Sequence, residues 1–229
     1  MAVNEPILAG DIFGICDGDV AGPGLVAKEN IFSCRKSGIL RKKKNVFFVE
    51  FLQKKYSPVK GDELVGIVLG KMVDAFKIDI GCGEPAILNV LSFEGATKRS
   101  YPDLKIGDTV FCRLISSDPS YELEVVCIDG KGKADGLGPL ASSQPSITVN
   151  VSCNFCRRML LDLCPLMSGL SELYKFEVCV GHNGRIYLAA SSHGTLMLVA
   201  NTILTSESMD DGQIQKMLRK LGTKHFVDI

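Results

Sequence analysis

No run of apolar residues in this chain approaches the roughly 18 needed to cross a bilayer as a helix, so a helical membrane span is excluded. The opening residues, Met1-Ala2-Val3-Asn4-Glu5-Pro6, lack a basic stretch followed by an apolar core, and no secretory signal is expected. Net charge is missing too. The 26 Lys/Arg balance 26 Asp/Glu, whereas a lone, tight nucleic-acid binder would be basic. Histidine is scarce: His182, His193 and His225 stand in no metal-ligand spacing and beside no nucleophile motif. With no nucleophile, base and orienting group in sight, an enzyme is not expected. Internal repeats and low-complexity tracts are also absent, which leaves ordinary globular domains.

What is present fits that class. The 229 residues suffice for one large domain or two to three small ones, and 46% hydrophobic with 23% charged residues is an ordinary globular composition. The nine cysteines are odd in number and scattered. They read as reduced thiols of a cytosolic or nuclear protein.

Charge is unevenly spread. Residues 1–57 carry nine Lys/Arg against six Asp/Glu, residues 58–142 nine against thirteen, and residues 143–229 eight against seven. An acidic middle suits a module that works inside an assembly where other chains supply positive charge.

Those ranges are also the expected domains, giving a fold of β plus α+β class. Up to Ser57, short apolar runs such as Ile12-Phe13-Gly14-Ile15 and Ile31-Phe32 are broken by Gly and Pro, and Asn45–Phe51 is a strong strand: a small N-terminal β domain. From Pro58, strands are expected at 63–68, 75–80, 85–88, 109–115 and 122–128, with a longer connection between the third and fourth. That pattern fits a Greek-key barrel of the OB type, in which Gly66 and Gly70 permit a sharp bend. The tract Asp129–Gly138 is glycine-rich, but Gly132-Lys133 is followed by Ala134 rather than Ser or Thr, so it reads as a junction and not a phosphate loop. The remainder is a compact α+β domain of KH-like size and order. A strand is expected at 147–151, a helix at 154–164, and two more at 193–204 and 212–221.

Gly181-His182-Asn183-Gly184 spells G-x-x-G, the loop with which KH domains clamp a nucleic-acid backbone. A clamp joins two helices. Here Phe176–Val180 and Arg185–Leu188 have strand composition, and Asn-Gly between strands signals a hairpin turn because both residues tolerate positive φ. The motif residues Gly181, Asn183 and Gly184 are therefore expected to be structural.

Cys153-x-x-Cys156, with Cys164 nearby, suggests zinc or redox chemistry, but the second pair that a structural zinc needs is missing. Helical spacing places 153, 156, 160 and 164 on one face, so a core stripe is the better reading. No metal or cofactor is expected. Asp62-Glu63 and Asp210-Asp211 fall at element starts, where a first helical turn favours negative charge. Candidate phosphate contacts are the run Arg41-Lys42-Lys43-Lys44, read as a tight basic turn before a strand, with Lys98-Arg99 and Arg157-Arg158 as weaker cases. Phe76, Phe93 and Phe111 are the barrel aromatics that could stack on bases, although some must fill the core.

Several strings carry a family resemblance. They are Tyr56-Ser57-Pro58-Val59-Lys60-Gly61-Asp62, Gly66-Ile67-Val68, Gly83-Glu84-Pro85-Ala86 and Leu91-Ser92-Phe93-Glu94-Gly95-Ala96-Thr97-Lys98-Arg99. Val126-Cys127-Ile128-Asp129 and Gly181-His182-Asn183-Gly184-Arg185-Ile186 continue them. Together they resemble the S1/KH cap subunits of the eukaryotic RNA exosome, in the exosome component three family. The Leu91–Arg99 stretch separates the chain from the sibling component two. The resemblance implies an N-terminal β domain, an S1-type OB barrel and a KH domain. It also implies a non-catalytic subunit seated with other cap subunits on a ring of RNase PH-like proteins, which guides single-stranded RNA into a pore for 3′-to-5′ processing of rRNA and turnover of mRNA and noncoding RNA. The implied location is nucleus, nucleolus and cytoplasm. In that family G-x-N-G is structural and lies near the S1–KH junction. One departure is Tyr187, where the family usually has tryptophan; the exchange keeps an aromatic and adds a hydroxyl that needs a partner. A free-standing S1/KH regulator of single-stranded RNA is the alternative.

Overall fold

A computed structural model of the chain describes residues 5–14, 18–28, 31–51, 55–116, 122–140, 144–161 and 164–225, with side chains to residue 222. Two compact units form, Met1–Gln53 and Lys54–Ile229.

The first unit is built of strands β1 (Pro6–Ile7), β2 (Ile12–Gly14), β3 (Val20–Ala21), β4 (Leu25–Lys28), β5 (Ile31–Cys34), β6 (Gly38–Lys43) and β7 (Val46–Glu50). They make two small sheets, ordered β1-β6-β7-β3 and β2-β5-β4. Ile7, Leu25, Cys34, Leu40 and Val49 form its core, joined by an edge-on cluster of Phe13, Phe32 and Phe47 rings 5.5–5.9 Å apart. Ile15, the last residue of the apolar run that starts at Ile12, lies outside the described residues.

The expected basic turn at 41–44 is mostly strand. Arg41, Lys42 and Lys43 belong to β6, paired with Phe48, Phe47 and Val46, and only Lys44 (φ 54°) sits in the turn with Asn45. The apolar run of β7 draws the basic residues into register. Their long stems lie along the sheet, with Lys42 Nζ 4.4 Å from the centre of the Phe47 ring.

The second unit begins with a closed barrel of β8 (Glu63–Lys71), β9 (Ala75–Asp79), β10 (Ala86–Asn89), β11 (Thr109–Ser116) and β12 (Glu124–Val126). Neighbours run β11-β8-β9-β10-β12, and β12 returns to β11. The β10–β12 pair is parallel and the others antiparallel, as a five-stranded Greek-key barrel requires. Alternate residues point inward, and Leu64, Val68, Phe76, Ile78, Leu88, Val110, Leu114 and Val125 fill the core. The two glycines of β8 act differently. A Cβ on Gly66 would collide with the Ile78 side chain, so this position is empty to let the barrel close. Gly70 follows a bulge in the β8–β9 register.

Beyond β12 the glycine-rich tract folds around Asp129. Its Oδ1 accepts the N–H groups of Lys131 at 2.8 Å and Lys133 at 2.9 Å. Backbone donors that a phosphate loop would aim at a ligand are thus engaged by a carboxylate. Strand β13 (Gly138–Pro139) then pairs with β11.

The C-terminal α+β domain runs β14 (Ser146–Asn150), α1 (Cys153–Leu160), α2 (Leu166–Leu173), β15 (Glu177–Val180), β16 (Arg185–Ala189), α3 (His193–Ser206) and α4 (Asp211–His225). Its antiparallel sheet is ordered β14-β16-β15. The expected domain boundary at 142/143 lies outside the described residues. Ser152 caps α1 by accepting the Phe155 N–H at 3.3 Å, and Ser192 caps α3 through Gly194 at 3.3 Å. Small residues bring α4 onto α2: Gly169 faces Leu218 and Gly222 faces Leu173.

The expected helix over 154–164 is corrected. Its first part is α1, which stops at Leu160; Pro165 cannot continue a helix and instead opens α2, which the periodicity had hidden. The buried face of α1 is Cys153, Phe155, Cys156 and Met159. Leu160 is 41% exposed, and Cys164 is buried from outside the helix.

Candidate nucleic-acid interface

The barrel has two unlike ends. The start of β8 and the end of β9 form one, and the C-terminal domain occupies it. The Gly181–Gly184 turn is the joint. It links β15 to β16 as a hairpin, with the Gly181 N–H donating to the Arg185 carbonyl at 2.9 Å, and it inserts Asn183 into the barrel wall. The Asn183 side-chain amide donates to the carbonyls of Val65 at 2.9 Å and Ile80 at 2.8 Å, while its Oδ1 accepts the Val65 N–H at 3.3 Å. Asn183 is 5% exposed, so these three bonds satisfy groups that water does not reach.

Both glycines of the turn are steric necessities. A Cβ on Gly181 would stand 2.7 Å from the Val65 nitrogen; one on Gly184, at φ 79°, would stand 2.5 Å from the Val151 oxygen. Only Gly184 needs positive φ. The expectation that Asn183 is there for the same reason is replaced: its amide is what the position requires.

Neighbours extend the joint. The His182 N–H donates to the Glu63 carbonyl at 2.9 Å, and its Nδ1 lies 3.1 Å from the same oxygen. Arg185 donates to the Asp79 carbonyl at 2.5 Å and to Asp79 Oδ2 at 2.7 Å. Partial burial alone would raise the Asp79 carboxyl, but hydrogen bonds from Arg185 and the Gly81 N–H outweigh it and hold the group below the ordinary aspartate range. Beside these polar contacts, Val65, Tyr187 and Ala189 form a small apolar seam with Phe111, Leu140 and Cys179. The Tyr187 hydroxyl is buried there and meets no hydrogen-bond partner among the described residues. Sequence reasoning missed Asp79 and the pairing of Arg185, since partners 106 residues apart leave no spacing signal.

The other, distal end collects the β8–β9 turn, the ends of β10 and β12, and the long connection before β11. Backbone bonds tie these together: Val90 N–H to Asp74, Gly107 N–H to Val68, and Cys127 N–H to Ser92. Lys98 and Arg99 stand here, fully on the surface. They form the tip of a tight turn closed by the Thr97 N–H to Ser100 at 2.8 Å and the Ser100 N–H to Thr97 at 3.1 Å. Two adjacent cations on a hydrogen-bonded, solvent-facing turn are a foothold for phosphates.

The remaining candidates are dispersed. Arg41 pairs with Glu50 at 2.8 Å and Lys42 with Asp19 at 3.1 Å, while Lys43 and Lys44 are exposed. Arg158 pairs with Asp211 of α4 at 2.8 Å, which also explains that acidic residue, and Arg157 is half-buried beside it on α1. Asp62 accepts the Tyr56 hydroxyl at 2.8 Å and Glu63 pairs with Arg113 at 2.7 Å, so both carboxylates hold the barrel together. Of the aromatics, Phe76 and Phe93 are core and Phe111 faces the seam. Cys153 and Cys156 are buried; burial raises both thiols, Cys156 to about 12, and leaves little thiolate at neutral pH. The junction where a KH clamp would lie, between α1 and α2, reads Leu161-Asp162-Leu163-Cys164-Pro165, with neither glycine nor cation.

Comparison with known proteins agrees with this architecture. The family model described as the exosome complex component RRP40 S1 domain matches residues 56–138, and a KH domain model matches residues 147–194. Exosome complex component RRP40 of Mus musculus is 36% identical over 209 residues, covering 89% of this chain and 76% of the relative. Its counterpart in Homo sapiens is 36% identical over 89% of this chain and 76% of the relative. The relative from Dictyostelium discoideum is 34% identical over 95% of this chain and 92% of its own length. A crystal structure assigned to exosome RNA-binding proteins shares the fold, with a TM-score of 0.62 at 19% identity over 76% of this chain and 99% of that one. An S1-type barrel keyed to a KH domain through G-x-N-G, with relatives of this identity along most of the chain, places it in the family of exosome complex component RRP40.

Proposed function

We propose that this chain is a non-catalytic RNA-binding cap subunit of the exosome, organised as domains 1–57, 58–142 and 143–229. It docks on an RNase PH-like ring beside other cap subunits. From there it guides single-stranded RNA into the pore for 3′-to-5′ decay and processing, in nucleus, nucleolus and cytoplasm. The observation that carries this reading is the polarity of the barrel in a chain of this family. One end is closed by the KH domain, and the distal end presents Lys98 and Arg99 on a tight, exposed turn. The acidic balance of residues 58–142 supports a guide and not a store, because a threading path must hold RNA weakly enough to release it.

Affinity purification of the chain, with mass spectrometry, is expected to recover ring subunits in equal amounts. Purified alone, the chain is expected to bind single-stranded RNA weakly and with strong salt dependence. Within the complex, the Lys98→Glu, Arg99→Glu variant is expected to lower crosslinking to RNA by roughly tenfold while assembly persists. Nanomolar binding by the isolated chain at physiological salt, with no ring subunits recovered, would overturn the reading.

A further inference from the structure

The glycine-rich loop after β12 carries two cations, Lys131 and Lys133, at the same end of the barrel as Lys98 and Arg99. Residues 58–142 hold nine Lys/Arg. Lys71 is paired with Asp103 and Arg113 with Glu63. Lys98, Arg99, Lys131 and Lys133 are all exposed, and none of the four forms an ion pair among the described residues. The fold ties their two loops together. The Ala134 N–H, next to Lys133, donates to Glu94 Oε2 at 2.9 Å, and the Cys127 N–H donates to Ser92 at 3.0 Å. Glu94 precedes Lys98 by four residues, a chain reach of at most about 14 Å.

The chemistry of the loop selects its ligand. Asp129 Oδ1 takes the backbone N–H groups of Lys131 and Lys133, and the Asp129 N–H donates to the Lys133 carbonyl at 2.7 Å. The backbone is thus satisfied within the loop, and both ammonium groups are left over. The carboxylates are spent on N–H groups: Glu94 holds Ala134, Asp129 holds its own loop, and Asp135 pairs with neither lysine. Gly130 adds an independent sign. Its φ is not positive, and a Cβ there would meet nothing within 4 Å. Neither backbone conformation nor packing calls for glycine here, whereas close approach of a ligand to the backbone does. Between Asp129 and Gly136 stands no large apolar side chain of the kind that forms a protein interface core. We infer that Lys131 and Lys133 are a second phosphate-binding foothold, which continues from Lys98–Arg99 the track on which the barrel holds single-stranded RNA. The inference rests on the proposed RNA-guiding role and deepens it by naming further contacts. The separation of the two footholds falls within the roughly 4–16 nucleotides that one OB-type barrel covers. Contacts from ammonium groups to phosphates position a strand without reading its bases.

The test is titration of the full chain against a fluorescent oligouridylate over a series of salt concentrations, with Lys131→Gln, Lys133→Gln beside the wild type. The substitutions keep the backbone N–H groups that Asp129 accepts, so circular dichroism and melting temperature are expected to match the wild type. Affinity at low salt is expected to fall by roughly tenfold. The slope of log K against log salt is expected to become shallower by about 1.4, the change for two phosphate contacts on a single strand. Lys131→Arg, Lys133→Arg keeps both charges and is expected to keep the wild-type slope. Should the glutamine variant fold poorly, Lys133→Gln alone is expected to change the slope by about 0.7. An unchanged slope in a folded glutamine variant would overturn the inference. So would a loss of affinity at unchanged slope, which would give the lysines a structural role, or an arginine variant as shallow as the glutamine one. A wild type that binds the oligonucleotide at no salt concentration would instead sink the underlying RNA-binding reading, and this inference with it.

Discussion

At the scale of single residues, Asn183 and Tyr187 are opposites within a few ångströms of the same seam. Asn183 makes three hydrogen bonds to barrel backbone. Truncation would leave two carbonyls and an N–H buried without partners. Asn183→Ala is therefore expected to cost about 2 kcal/mol or more in chemical denaturation, at the upper end for such a group. Tyr187 buries a hydroxyl with no partner among the described residues. Tyr187→Phe removes that group and keeps the ring, and is expected to leave stability unchanged or raise it by about 1 kcal/mol. A marked loss from Tyr187→Phe in the same assay would mean that the hydroxyl is satisfied in solution. The sequence makes the importance of Asn183 legible through its place in a hairpin motif, but not the reason. An asparagine that serves the backbone of another domain looks the same on paper as one that serves its own turn.

At the scale of elements, the end of β9 and the start of β16 are clipped by Asp79 and Arg185. The Asp79 carboxyl is held below its ordinary value, which fixes the sign of its pH effect. The stability it adds is present above the unfolded aspartate value of about 3.9 and fades as the pH falls below that. Asp79→Asn is expected to lower the melting temperature at neutral pH, with the gap to wild type narrowing in acid. A gap that widened in acid would contradict the clip. Strands were the most legible elements, because alternation in β9 and β11 reports burial directly. The β6 register and the break between α1 and α2 were obscured. The lysines of β6 look like a turn until the apolar face of β7 is known to pair with them. Likewise, the apolar residues Leu161, Leu163 and Cys164 continue the helical period in sequence past the point where α1 ends, at Leu160.

At the scale of the molecule, barrel and KH domain fall in one compact unit, Lys54–Ile229. The seam between them combines buried hydrogen bonds with a small apolar cluster. These two domains are expected to unfold in one cooperative transition. Calorimetry on Gly181→Ala, where the added methyl meets the Val65 backbone, is expected to lower that transition as a whole. A wild-type scan that resolves barrel and KH melting separately would show the seam to be weaker than its contacts imply. The division of labour between the two barrel ends was not legible from residue order. Lys98 lies on the long connection before β11, and the antiparallel β9–β10 and β8–β11 pairs bring both ends of that connection beside the β8–β9 turn.

The joint has a further consequence during synthesis. Val65 and Ile80 leave the ribosome 118 and 103 residues ahead of Asn183. At roughly 5–20 residues per second, these backbone groups wait several seconds or more for the side chain that seals the barrel wall. Until then, backbone groups of β8 and the residue after β9 stay open to water or to any passing strand. The barrel is thus born with a temporary sticky edge, and translation speed across residues 81–183 sets how long that edge is on offer to other nascent chains.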